Sequence, residues 1–160
     1  MSRRPSVGDV FEVRMAASTV RFFQYVADDA TQLNSHVVRV FREMYDLNEP
    51  IGACSITDGE IDFHAHVLIG VGLKQHLWRK IGHAQSPDNL DVLFRDTNDY
   101  GNPEIKVSRN WYVWKINRPF HKVGALEAQY KEAEIGVVVP PDSLIYRMRN
   151  GKYDFVYPGY

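Results

Sequence analysis

The chain is poor in the features that mark secreted and membrane proteins. It has a single cysteine, Cys54, so no internal disulfide can form, and no CxxC or similar Cys/His spacing typical of a zinc site is present. No stretch approaches the ~18 apolar residues of a membrane span. The first residues, "MSRRPSVGDVF", lack the apolar core of a signal peptide. We therefore expect a cytoplasmic protein without a membrane partner.

An excess of charge of either sign is also lacking. The chain has 19 Lys and Arg residues against 20 Asp and Glu residues. Because no overall positive field would attract a polyanion, direct binding of nucleic acid is not expected. No GxSxG nucleophile motif occurs, and "GVG" at residues 70–72 is too short to indicate a phosphate-binding loop.

Strand-forming segments dominate what is present. "GDVFEVRMA" and "TVRFFQYVADD" predict a first hairpin, and "SHVVRVFREMY", "EIDFHAHVL" and "NWYVWKI" predict further strands. A single domain spanning residues 1–160 is long enough to bury a core without metals or disulfides. We predict an α+β fold with a strongly bent, mainly antiparallel β-sheet of about six to eight strands. The sheet would form a partly closed barrel with two short helices packed on it.

The remaining segments give local predictions. Residues 47–59 contain Pro, Gly, Asn and Asp and predict a loop, whereas "IGVGLKQHLWRKIGH" predicts a short helical turn followed by a strand. "FHKV" and "GVVV" predict short strands, the second one buried. "ALEAQYKEAEI" predicts one helix, and residues 144–149, after two prolines and before Gly151, predict the other.

The string "DFHAH" at residues 62–66 has two interpretations. Alternation along a strand places Asp62, His64 and His66 on one face, where two imidazoles and a carboxylate could ligate zinc or a similar metal. The other histidines lie at no recognisable ligand spacing: His36, His76, His83 and His121. We favour the alternative, the polar face of an ordinary strand, and expect no metal and no cofactor.

The segment "FRDTNDYGNPEIK" gathers polar side chains around one turn. "DYGNP" predicts the turn itself, because Gly and Asn tolerate positive φ and Pro fixes the next bend. We expect at least one carboxylate of residues 95–102 to accept backbone N–H groups within its own turn. A turn this polar is also a natural recognition surface for a basic partner.

Trp111, Tyr112 and Trp114 form a dense aromatic group on a predicted strand. Alternation puts Trp111 and Trp114 on opposite faces, so at most one of them lies on the core face unless both faces are covered. An exposed tryptophan could anchor an interface, since Trp is favoured at binding hot spots. The alternative, which we favour because such tryptophans are more often buried, is a structural role in the core.

Three strings carry a resemblance to a known bacterial family. They are "VGDVF" near the start, "FRDTNDYGNPEIKVSRNWYVWKIN" in the middle and "IGVVVPPDSLIYRMRNGKYDFVYPGY" at the end. Together they resemble the family named jointly for immunity protein twenty-six and the HocA-type phosphotriesterase, and the likeness spans most of the chain. The resemblance implies two functions of different classes.

The first implied function is that of an immunity protein, which binds and neutralises a cognate polymorphic or contact-dependent growth inhibition toxin domain. We predict that the toxin is a nuclease with a basic cleft, which local carboxylates would oppose. The predicted binding surface consists of Asp96, Asn98, Asp99, Tyr100, Glu104, Trp111 and Trp114. Further acidic candidates are Asp28, Asp29, Asp58, Glu60 and Asp62.

The second implied function is metal-assisted hydrolysis of an organophosphate triester, for which Asp62, His64 and His66 are the candidate ligands. The sequence predicts no catalytic residue and favours binding over catalysis. The expected partner is therefore a protein toxin domain, and no oligomeric state is predicted.

Overall fold

A computed structural model describes residues 4–159, and its framework consists of two β-sheets. The first sheet has six strands in the spatial order β5-β3-β2-β1-β6, with β4 paired to β2. Its strands are β1 (Asp9–Arg14), β2 (Thr19–Asp29), β3 (Ser35–Phe41), β4 (Tyr45–Asp46), β5 (Ile61–His66) and β6 (Trp78–His83). All pairings are antiparallel, as expected for strands joined by short connections.

The second sheet has four strands in the order β10-β7-β8-β9. They are β7 (Leu93–Thr97), β8 (Trp111–Lys115), β9 (His121–Gly124) and β10 (Glu134–Ile135). β7, β8 and β9 pair antiparallel, whereas β10 runs parallel to β7. The long turn between β7 and β8 is the polar segment singled out in the sequence.

Three short helices complete the fold: α1 (Ala53–Thr57), α2 (Ile69–Lys74) and α3 (Pro141–Asn150). Pro141 occupies the first turn of α3, where its missing N–H costs nothing. Gly151 ends the helix in a left-handed conformation, with φ of 80°. No helix in residues 4–159 is long and apolar enough to cross a membrane.

The first sheet is covered on both faces. On one face Phe11 stacks on Phe23 with ring centroids 5.1 Å apart, and Trp78 meets Phe23 edge-on at 5.0 Å. α3 packs on this face through Leu144, Ile145 and Met148. The opposite face is covered by α1, whose Ile56 packs with Val10, Phe22 and Phe41.

The two sheets meet at an apolar seam. Val26 and Val37 of the first sheet pack with Phe94 and Trp114 of the second. Gly136, directly after β10, leaves room for the Trp114 side chain, because a Cβ at that position would overlap its indole ring. Burying each of these large side chains stabilises the fold by about 1.5–3 kcal/mol.

The predicted α+β class is confirmed, together with the first hairpin, the strands of "SHVVRVF", "IDFHAH" and "WYVWK", and the final helix. The structure has two sheets, whereas a single bent sheet was predicted. Neither closes on itself within the described residues, so the partly closed barrel is not confirmed. That range also holds three α-helices rather than two.

Three local predictions were wrong. Residues 125–135 form only a 3-10 turn at Ala128–Tyr130, followed by β10. "GVVV" makes an isolated bridge between His66 and Val138 rather than a strand. The segment 47–59 is not all loop, because it contains α1, which is fixed by the burial of Ile56.

Candidate functional site

The turn between β7 and β8 is held by a buried carboxylate. Asp96 is 8% exposed and accepts hydrogen bonds from the Thr97 N–H at 2.8 Å, the Tyr157 hydroxyl at 3.0 Å and the Tyr112 hydroxyl at 3.1 Å. Burial raises the pKa of Asp96, although these three donors oppose the shift. A carboxylate of residues 95–102 therefore accepts a backbone N–H, as predicted, but this bond joins the last two residues of β7 and lies at the start of the turn.

A second set of bonds closes the two ends of the turn. Ser108 Oγ lies 2.6 Å from the Thr97 hydroxyl and donates to Asp99 Oδ2 at 2.7 Å. Asn110 Nδ2 also donates to Asp99, at 3.3 Å. Thr97 and Asp99 lie at the start of this segment and Ser108 and Asn110 lie at its end, so these hydrogen bonds join its two ends beside the sheet.

The C-terminal segment packs along this turn. Gly159 N–H donates to the Lys106 carbonyl at 2.7 Å, and Ser108 N–H donates to the Gly159 carbonyl at 3.1 Å. The Tyr100 ring contacts Phe155 and Tyr157, with centroids 5.8 and 5.6 Å away. Tyr100 is therefore fixed on one side while 41% of it stays exposed.

Other apolar side chains are exposed in the same two segments. Val107 is 58% exposed and Val156 is 68% exposed. Asn98 and Glu104 of the turn are exposed polar residues. We call this region the Tyr100 surface, and it consists of Asn98, Tyr100, Glu104, Val107 and Val156.

The predicted partner-binding residues fall into two groups. Asn98, Tyr100 and Glu104 are exposed, and Asp99 is half-buried in the turn network. Asp96, Trp111 and Trp114 are buried and so present no surface to a partner. Both tryptophans are covered because β8 carries an apolar cluster on each face.

The further acidic candidates are scattered. Asp28, Asp58 and Glu60 are exposed, whereas Asp29 is fully buried. Val107 and Val156 were missed by the sequence analysis, and no local signal indicates them. Their position depends on the pairing of the C-terminal segment with residues 106–108.

The three side chains of "DFHAH" that could ligate a metal have separate partners. The register of β3 and β5 shifts beside Asp62, and a shift of this kind re-aims a side chain. The Asp62 carboxylate is bound by Arg21 at 2.9 Å and Arg42 at 3.3 Å. Within residues 4–159 no group of three or more His, Cys, Asp or Glu side chains is arranged to hold a metal.

His66 belongs to a buried structural network. Its Nε2 lies 2.9 Å from Asp29 Oδ2, and both residues are fully buried. The same carboxylate accepts the Trp114 indole N–H at 2.8 Å and the Asn117 backbone N–H at 3.1 Å. Burial raises the pKa of Asp29, but these donors outweigh it and hold the pKa below its usual value.

His64 has a different environment beside Glu134 of β10. The His64 backbone N–H donates to the Glu134 carboxylate, and His64 Nδ1 lies 3.8 Å from Oε2. Burial lowers the pKa of His64 to about 4 and raises the pKa of Glu134. Both side chains line a cleft of about 340 Å³, where they could exchange protons with a ligand.

Comparison with known proteins gives no relative from which a function could be transferred. No protein-family model, curated protein or solved structure matches the chain.

Proposed function

We propose that the protein is a cytoplasmic bacterial immunity protein that binds and neutralises a cognate polymorphic or contact-dependent growth inhibition toxin domain, a nuclease in our proposal. The observation that carries the proposal is the Tyr100 surface. There the Tyr100 ring and Val107 are exposed on a turn whose ends are fixed by Asp96, Asp99 and Ser108. Val156 is exposed on the C-terminal segment that packs along this turn.

A fixed aromatic side chain suits a high-affinity inhibitor. Binding costs free energy when loops and side chains must be ordered. Hydrogen bonds join the two ends of the turn, and Phe155 and Tyr157 contact the Tyr100 ring from one side. Tyr is among the residues that dominate binding energy at interfaces, especially when apolar neighbours exclude water around it. In our proposal the exposed Val107 of the same turn contributes to this exclusion.

Charge has a smaller part in this proposal. Glu104 is exposed and could oppose a basic cleft, which would accelerate association. Lys106 and Arg109 in the same segment are also exposed, so the surface is not uniformly acidic. We therefore expect apolar contact at Tyr100 to contribute more to affinity than Glu104 does.

Co-expression with the toxin domain encoded next to the gene tests the proposal. Cells should survive with the wild-type protein and lose protection with Tyr100→Ala, and the purified variant should bind the toxin at least about tenfold more weakly. Tyr146→Ala is the matched control, because Tyr146 on α3 is 39% exposed. That variant should protect like the wild type.

The possible results of this experiment distinguish an error in the binding site from an error in the proposed function. Loss of protection with both tyrosine variants, or with neither, would overturn the Tyr100 surface as the binding site. Absence of a neighbouring toxin gene, or a neighbouring toxin that the wild-type protein does not bind, would overturn the immunity function itself. Glu104→Lys should weaken binding less than Tyr100→Ala, and more strongly at low salt.

Metal-assisted phosphotriester hydrolysis of the HocA type is the second candidate, and the His64–Glu134 cleft is the observation that favours it. A chromogenic phosphotriester should then be hydrolysed at a rate that rises with added Zn²⁺ and falls in both His64→Ala and Glu134→Gln. Equal rates with the two variants and the wild type would reject this candidate.

A further inference from the structure

A second cleft lies on the second sheet, away from the Tyr100 surface. It has a volume of about 310 Å³, within the lower range of small-molecule sites. Its apolar lining includes Leu93 and Val113 from the strands, Pro119 after β8, and Tyr130 from the 3-10 turn. Such a cavity would accept the apolar body of a small ligand.

Three basic side chains stand at the same cleft: Lys115, Arg118 and His121. The Lys115 ammonium is bound by Asp91 at 2.5 Å, so its charge is already compensated. Within residues 4–159, the Arg118 guanidinium and the His121 ring have no hydrogen bond or ion pair with another side chain. Two uncompensated donors therefore lie beside an apolar cavity.

The turn that carries Arg118 is fixed to the first sheet. Asn117 has a left-handed backbone, with φ of 61°, which Asn tolerates well. Its side chain donates to the Asp28 carbonyl at 2.8 Å and accepts the Ala30 N–H at 2.7 Å, and its backbone N–H donates to Asp29. The backbone beneath Arg118 is thus ordered before any ligand binds, which lowers the cost of binding.

We propose that this cleft binds a small organic carboxylate with an apolar body. The body would contact Leu93, Val113 and Tyr130. The carboxylate would accept hydrogen bonds from the Arg118 guanidinium, whose planar donors match its two oxygens. The proposal is independent of the immunity function, since it involves a different surface.

The proposal is tested by titrating the full-length protein with 2-naphthoate and measuring the changes in its amide chemical shifts. We expect saturable shifts centred on residues of the cleft, and at least about fivefold weaker binding of the neutral 2-naphthamide. Arg118→Ala should weaken naphthoate binding to a similar degree. Arg14→Ala is the control variant. Arg14 is an exposed arginine that lines a different cavity, formed together with residues of α3, and its removal should change the affinity for naphthoate less than about twofold.

Three results would overturn the proposal: equal binding of the acid and the amide, an unchanged affinity in Arg118→Ala, or shifts centred outside the cleft. A peptide that ends in a Phe carboxylate is tested as a second ligand, because it presents a carboxylate and an apolar ring as the end of a protein chain would. Tighter binding of that peptide than of naphthoate would overturn the assignment to a small molecule. Thermal unfolding of each variant verifies that it is folded.

Discussion

At the scale of single residues, Asp29 shows how a fully buried carboxylate is kept ionised. Four donors surround it: the His66 ring, the Trp114 indole N–H, and the backbone N–H groups of Gln32 and Asn117. Asp29→Ala would leave buried donors without an acceptor, and we expect it to lower the free energy of unfolding by about 3–5 kcal/mol. Urea denaturation measures the loss.

The neighbouring Asp28 provides a matched control for this prediction. It is exposed, and its carboxylate accepts a hydrogen bond from the Tyr25 hydroxyl, whereas the Asp29 carboxylate is fully buried among four donors. Asp28→Ala should therefore cost less than about 1 kcal/mol. Similar losses for the two variants would show that the Asp29 network does not stabilise the fold as described.

His64 makes stability depend on pH. Burial lowers its pKa from 6.5 to about 4, so between these pH values the unfolded chain binds more protons than the folded protein. Stability therefore falls as the pH drops through this window, by roughly 3 kcal/mol for His64 alone. Glu134, whose pKa burial raises, acts in the opposite direction, because its folded form retains a proton as the pH rises.

His64→Gln isolates this effect, because Glu134 and the other histidines remain. We expect the variant to lose less stability than the wild type between pH 6.5 and pH 4, measured by urea denaturation at each pH. His121→Gln is the control, since His121 is exposed, and it should follow the wild-type curve. An unchanged pH profile in His64→Gln would contradict the assignment.

At the scale of elements, α2 contains two glycines with different environments. A Cβ on Gly72 would overlap the indole ring of Trp78, whereas a Cβ on Gly70 would meet no atom within 4 Å. Gly72→Ala should destabilise the fold by about 1–3 kcal/mol through overpacking. Gly70→Ala should stabilise it by about 0.4–1 kcal/mol. Chemical denaturation of both variants tests this difference, and equal effects would contradict it.

The elements that could be predicted are those whose local pattern agrees with their tertiary environment. The valines and aromatics of β1, β2 and β3 fill two apolar faces, so propensity and burial favour the same structure. The segment 125–135 differs, because its helix formers are overridden by tertiary pairing. Glu134 and Ile135 align with Phe94 and Arg95 of β7, a contact about 40 residues away in sequence that no local pattern indicates.

The candidate site could be predicted in part for the same reason. "DYGNP" identified the turn and its exposed residues, Asn98, Tyr100 and Glu104, because turn chemistry is local. A core role for one tryptophan was favoured by the sequence, but the burial of both Trp111 and Trp114 could not be predicted, since it requires cover on both faces of β8. The exposed Val156 became part of the surface only through the contacts of its neighbours Phe155 and Tyr157 with Tyr100.

At the scale of the whole molecule, buried polar groups connect parts that are distant in sequence. Arg21 of β2 donates to the Phe41 carbonyl at 2.7 Å, to the Met148 carbonyl at the end of α3 at 2.6 Å, and to Asp62 at 2.9 Å. Asp29 similarly connects β2 with His66 of β5 and with Trp114 of β8. The side of the second sheet that carries Trp114 and the Asn117 turn is therefore joined to the first sheet.

This coupling predicts that the two sheets unfold together. The tryptophans report on them separately, since Trp78 packs in the first sheet while Trp111 and Trp114 belong to the second. In Trp78→Phe, fluorescence follows the second sheet and far-UV circular dichroism follows the whole chain. We expect the same urea midpoint from both signals, because the seam and the Asp29 network cannot be lost from one sheet alone.

If fluorescence changes at a lower urea concentration, the second sheet unfolds independently and the coupling is wrong. Adding Asp29→Ala should weaken the connection, so any separation of the two midpoints should appear first in that double variant.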